Sequence, residues 1–107
     1  MNENFSSLPQ EDRPYERCIR HGVQSLSNRD LLAVILRTGA KGRNVLELAG
    51  ELLKLVPERE GFTGLRRLSL TELSKVKGIG KVKAVQLKCL LEIARRMARE
   101  EVGEGTY

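Results

Sequence analysis

The stretch Leu73-Ser74-Lys75-Val76-Lys77-Gly78-Ile79-Gly80-Lys81-Val82-Lys83-Ala84 decides how this chain is read. Two glycines around one large apolar residue make a turn whose backbone a ligand can approach, because neither glycine carries a Cβ, while Ile79 pins the turn to a core. The turn opens a long amphipathic segment, expected as a helix over about Lys81–Arg99. Its inner face would be Ala84, Leu87, Leu91, Ala94 and Met97 or Ala98, and its outer face Lys81, Lys88, Glu92, Arg95 and Arg99. At the start of such a helix the amides of Gly80, Lys81 and Val82 have no partner within the helix, and the macrodipole there favours an anion. Lys77, Lys81 and Lys83 surround that point with positive charge, which attracts phosphate without reading base edges.

Upstream of the turn, Ser69-Leu70-Thr71-Glu72 has the form of a capping box and predicts a short helix over Glu72–Val76. A second box-like run, Ser27-Asn28-Arg29-Asp30, predicts a helix with Leu31, Leu32, Ile35 and Leu36 on one face, ending at Thr38 with Gly39 as its left-handed closing residue. The tight turn Gly39-Ala40-Lys41-Gly42 leads into a periodic helix from Val45 to Val56, stopped by Pro57. Pro14 suits a first helical position and predicts a helix over Pro14–His21. The run Glu58–Gly64 reads as a polar connector, followed by a helical turn at Leu65–Leu68. Helix, glycine-bracketed turn, helix thus occurs twice. The expected fold is all-α, with about five helices in a tandem helix-hairpin-helix arrangement over residues 13–99, a flexible segment at 1–12 and an acidic flexible tail at 100–107.

The 107 residues hold 19 Lys or Arg and 14 Asp or Glu, which excludes a multi-domain enzyme and leaves a basic single domain. Aromatic residues are 4% of the chain and Trp is absent, so a base-stacking platform of rings is not available. The charge is uneven. Residues 1–65 hold nine bases and nine acids, residues 66–99 ten bases and two acids, and the last eight residues three acids. A Lys-rich helix is by default a solvated face, and the glycine turn inside the basic third is what singles it out. No apolar run reaches the length of a membrane span, and the N-terminal residues lack the features of a signal or transit peptide. Cys18 and Cys89 fall in helical stretches and read as reduced core fillers, in keeping with a cytoplasmic protein.

The chain resembles the N-terminal domain of RadC-type proteins, historically named DNA repair proteins, through Leu8-Pro9, Arg13-Pro14, Leu26-Ser27 to Asp30-Leu31-Leu32-Ala33, Leu36-Arg37-Thr38-Gly39 and Val76-Lys77-Gly78-Ile79-Gly80. The resemblance implies a domain of the SAM-like, RuvA C-terminal-like class. It also implies that Gly78, Gly80 and the amides of Lys81 and Val82 contact phosphate, with Ile79 as the apolar pivot. In that family a metallopeptidase-like domain of the JAB1/MPN type follows, with a His-x-His zinc pair and a downstream Asp. This chain has one histidine, His21, so that domain is expected to be missing. The first turn departs from the pattern, being one residue longer with Ala40 in place of the large apolar pivot, but it keeps Arg37, Lys41 and Arg43.

Two function classes follow. One is sequence-independent binding of the DNA backbone through Lys77, Gly78, Ile79, Gly80, Lys81, Val82 and Lys83, extended by Lys41, Arg43, Arg95 and Arg99, in repair or recombination. The other is a protein-interaction module that positions a JAB1/MPN-type domain. No enzyme, cofactor, metal or membrane is expected. Cys18-x-x-His21 lacks two further zinc ligands, and Asp30 and Glu72 are accounted for as helix caps. A base-flipping glycosylase would need a catalytic Asp after the hairpin, and no Asp follows Gly80.

Overall fold

A computed structural model describes residues 13–103. The expected flexible segment 1–12, the Leu8-Pro9 pair and residues 104–107 of the expected tail lie outside the described residues. Six α-helices and one 3-10 turn follow in order: α1 (Pro14–His21), the turn Val23–Ser25, α2 (Asn28–Leu36), α3 (Val45–Leu53), α4 (Gly61–Arg67), α5 (Leu70–Leu73) and α6 (Lys81–Glu101). No strand occurs among the described residues, so the fold is all-α as expected.

Three helix starts are fixed by reciprocal capping, which satisfies amides that would otherwise be orphaned. At α2 the Asp30 amide donates to Ser27 Oγ and the Ser27 amide to Asp30 Oδ2, each at 3.1 Å. At α5 the Glu72 amide donates to Ser69 Oγ at 3.0 Å and the Ser69 amide to Glu72 Oε1 at 2.8 Å. At α3 an unexpected third box pairs Asn44 with Glu47, at 2.8 and 2.9 Å. Asp30 is also buried and accepts from Arg17 at 2.9 Å, which ties α1 to α2.

The core is aliphatic: Leu32, Ala33 and Leu36 of α2 meet Val45, Leu48, Ala49 and Leu52 of α3, and Leu65, Leu73, Val76, Ile79, Ala84, Leu87 and Leu91 close it from the other side. The sequence reading of helix faces needs correction in four places. Helix α2 ends at Leu36, and the positive-φ residue behind it is Arg37 (φ 71°), not Gly39. Ile35, Ala94, Met97 and Cys89 are exposed and Cys18 is half-buried, so the cysteines are not core fillers. Residues 61–64 are not connector but the first turn of α4, which buries Gly64 and Leu65. The short helix after Ser69 is Leu70–Leu73, and α6 runs to Glu101, which takes Glu100 and Glu101 out of the expected tail.

Candidate nucleic-acid interface

The two glycine turns meet. In the first, Ala40 and Arg43 exchange backbone hydrogen bonds at 3.1 and 2.8 Å, and Gly42 at the third position of this turn takes φ 82°, the conformation a type II turn reserves for glycine. In the second, Gly78 has φ 103°, and a Cβ built on it would lie 2.5 Å from the Ala40 Cβ and 3.1 Å from Leu48 Cδ1. The absent side chain of Gly78 and the small one of Ala40 are therefore complementary, and they let the tip of one hairpin sit on the other. Lys83 completes the joint. Its ammonium donates to the Thr38 carbonyl oxygen at 2.8 Å and lies 3.4 Å from Thr38 Oγ1, and partial burial there lowers its pKa.

This joint redistributes the expected site. Ile79 is 2% exposed and is the pivot the sequence implied. Gly80 has ordinary backbone angles (φ −84°, ψ −172°), and a Cβ on it would meet nothing within 4 Å, so the space in front of it is open. It is the N-cap of α6 and has no side chain with which to cap it, while the first turn of α6 contains no acid. The longest helix among the described residues thus begins without a side-chain cap and with Lys77 and Lys81 beside it in the chain, although acids are what its macrodipole favours there. Lys77 and Lys81 are exposed and make no ion pair with a described residue, Val82 is 70% exposed beside them, and Lys41 is exposed at the first turn.

Other expected contacts are committed elsewhere. Arg43 pairs with Glu51 at 3.0 Å. Arg95 donates twice to Glu92, at 3.0 and 2.7 Å, and Arg96 once at 2.9 Å, and these bonds hold the Glu92 carboxyl at a pKa of about 2. Arg95 and Arg99 stand on α6 but about 21 Å and 27 Å along its axis from Lys81, at 1.5 Å of rise per residue, so they do not share the hairpin's site. Lys88, expected on the outer face, donates to the carbonyls of Arg66 and Leu68 at 2.7 and 2.8 Å and so closes the end of α4. Thr38 and Ala40, which build the joint, were not legible as partners of residues some forty positions away. Among the described residues, no group of three or more His, Cys, Asp or Glu could hold a metal ion, and no helix is long and apolar enough to cross a membrane.

Comparison with known proteins places these features in a family. Residues 5–85 match the family described as UPF0758 N-terminal. A UPF0758 protein of Clostridium botulinum (strain Hall) is 47% identical over 105 residues, covering 96% of this chain and 45% of its own length. One from Desulfitobacterium hafniense is 47% identical over 92 residues, covering 86% of this chain and 39% of its own length. The chain therefore spans less than half the length of these curated relatives. No solved structure matches it.

Proposed function

The chain belongs to the UPF0758 family, in its N-terminal region, and for this region we propose sequence-independent binding of the DNA phosphate backbone, as the RadC resemblance implies for repair or recombination in the cytoplasm. One observation carries the reading: the start of α6 has no side-chain cap and opens at Gly80 onto free space, with the exposed Lys77 and Lys81 flanking Gly80 in the chain. A phosphate oxygen there accepts from amides that no side chain satisfies, and the lysines add attraction without base selectivity. Lys41 at the neighbouring turn extends the same edge.

The test is fluorescence anisotropy with duplex, single-stranded and branched DNA at two salt concentrations. Lys77→Glu/Lys81→Glu is the informative variant. Lys83 is unsuitable, because reversing its charge breaks the bond to Thr38 and disturbs the joint between hairpins. Binding at low salt in the range of about 1–100 µM, weakened by salt and lost in the double variant, is the expected result. No binding at low salt, or equal binding by the variant, overturns the reading.

A second reading, a module that docks protein and positions a JAB1/MPN-type metallopeptidase domain, is favoured by one feature. Between α2 and α6 runs a groove of about 390 Å³ with almost no polar wall. Exposed apolar surface of this kind marks an interaction site.

A further inference from the structure

Among the described residues, Arg37 is the only one other than glycine with a positive φ. Its angles are φ 71° and ψ −46°, and the Thr38 amide donates across it to the Leu36 carbonyl at 2.8 Å, so it is the centre of a γ-turn of the rare, strained form. A Cβ opposes that conformation, and a position whose only task is to reverse the chain favours glycine. The same loop has glycine at its other positive φ, Gly42. Position 37 carries a long cation instead, exposed and without an ion pair to a described residue. A cation behind α2 also gains from the helix macrodipole, but one at the exposed position 35, within the last turn, would gain as much on ordinary helical backbone.

The strained turn is built into the joint between the hairpins. Thr38, the next residue, accepts through its carbonyl from Lys83 in the first turn of α6, three residues beyond Gly80. Position 37 is thus held about one lysine side chain away from the start of α6. The first hairpin has no open helix start of its own to offer an anion, because the box of Asn44 and Glu47 caps α3 and places an acid there. Arg43 is paired with Glu51. Any phosphate contact from this hairpin therefore falls to side chains, and Arg37 and Lys41 are the cations it leaves unpaired with a described acid.

We propose that Arg37 is a second phosphate contact, made by the first hairpin, and that its strained backbone persists because it fixes where the guanidinium stands. This contact rests on the DNA-backbone reading and adds to it a residue of a different kind. Lysine is a point charge on a flexible stem, whereas a guanidinium is a planar fork that can hold two oxygens of one phosphate, so it gains from a fixed backbone where lysine does not. The Lys83 bond is made by the Thr38 carbonyl, so replacing the Arg37 side chain leaves the joint in place.

The test measures duplex anisotropy at several salt concentrations, together with urea unfolding, on the unaltered chain, Arg37→Ala, Arg37→Gly, Arg37→Lys and Lys77→Gln/Lys81→Gln. Arg37→Ala and Arg37→Gly should each weaken binding about tenfold. Each should also make the salt dependence shallower by about 0.9, one phosphate's share beyond that of the lysines. Arg37→Lys keeps the charge without the fork and should fall between these two and the unaltered chain. Only Arg37→Gly should raise the unfolding midpoint, because alanine keeps a Cβ at positive φ and the relief of strain exceeds the added freedom of the unfolded chain. In the unaltered chain the Arg37 Nε–H resonance, assigned by its loss in Arg37→Ala, should shift as a short duplex is added, which tests the contact even where a variant fails to fold.

Unchanged affinity in Arg37→Ala and Arg37→Gly, with Lys77→Gln/Lys81→Gln still impaired, overturns the Arg37 contact and leaves the DNA reading standing. No binding by the unaltered chain removes both. A loss in Arg37→Ala that Arg37→Gly does not share ties the effect to the backbone rather than to the guanidinium, and a lowered midpoint in Arg37→Gly means the turn carries no strain. Either of these, or an Nε–H resonance that does not move, overturns the proposal.

Discussion

Gly78 and Gly80 stand two residues apart and are glycine for different reasons. Gly78 combines φ 103° with a neighbour 2.5 Å from where its Cβ would stand. Gly78→Ala is expected to cost about 2–4 kcal/mol, from overpacking against Ala40 together with strain at a positive φ. Denaturant unfolding checks this, as a shift of the midpoint at unchanged slope, and a change within ~0.5 kcal/mol would mean that the hairpins do not touch. Gly80 already has the extended backbone of an N-cap and open space before it, so Gly80→Ser should gain a few tenths of a kcal/mol by capping α6. The same hydroxyl would occupy the amides proposed for phosphate and weaken DNA binding about fivefold, close to the net worth of one hydrogen bond. Stability rising while affinity falls is the signature to look for in paired unfolding and anisotropy measurements. The Gly-Ile-Gly pattern was legible in the sequence, but the division of labour within it was not. Nothing local marks Gly78 as a packing residue, because its partners, Ala40 and Leu48, are 38 and 30 positions away.

At the level of elements, legibility followed where the stabilising interactions come from. Helices started by a local box were found at Ser27 and Ser69, and Asn44-x-x-Glu47 was equally readable but passed over beside the more conspicuous glycine turn. The first turn of α4, residues 61–64, was read as connector because Gly61 and Gly64 each cost about 1 kcal/mol of helix propensity, and what offsets them is distant: burial of Leu65 and the Lys88 ammonium on the carbonyls of Arg66 and Leu68. Helix α6 carries its own electrostatic device. Glu92 accepts from Arg95 and Arg96, first through the side-chain hydrogen bonds and then through charge, and its pKa falls from 4.5 to about 2. A carboxyl whose folded pKa is depressed stabilises the fold above its unfolded pKa and loses that contribution as pH falls through the folded one. Glu92→Gln should therefore lower the unfolding midpoint at neutral pH, and the gap between variant and parent should close as pH falls from 4.5 toward 2. Thermal unfolding at stepped pH, alongside a carboxyl carbon-13 titration of Glu92, measures both ends of that statement. A gap independent of pH would place the effect of Glu92 in packing rather than in its charge.

Across the whole molecule, the bare count of charge overstates what faces a ligand. Ten bases lie in residues 66–99, yet Lys83 and Lys88 are spent on carbonyl oxygens, Arg95 and Arg96 on Glu92, and Arg67 lies 3.7 Å from Glu60. At the hairpin end, Lys41, Lys75, Lys77 and Lys81 are exposed lysines without an ion pair to a described residue. If these four displace counterions from duplex DNA at about 0.9 each, the logarithm of the binding constant should fall with the logarithm of salt concentration at a slope of about −3.6. Lys77→Gln/Lys81→Gln should reduce that slope by about 2 while leaving the fold intact, since neither lysine holds a bond within the protein. A slope near −9 would mean instead that nearly all ten bases of the basic third engage the duplex, which would require the Glu92 pairs and the Lys83 and Lys88 bonds to open on binding. An unchanged slope in the double variant would move the contact away from the Gly80 turn altogether. The slope thus separates a hairpin-edge contact from a general coating of α6, a distinction that affinity at one salt concentration does not make.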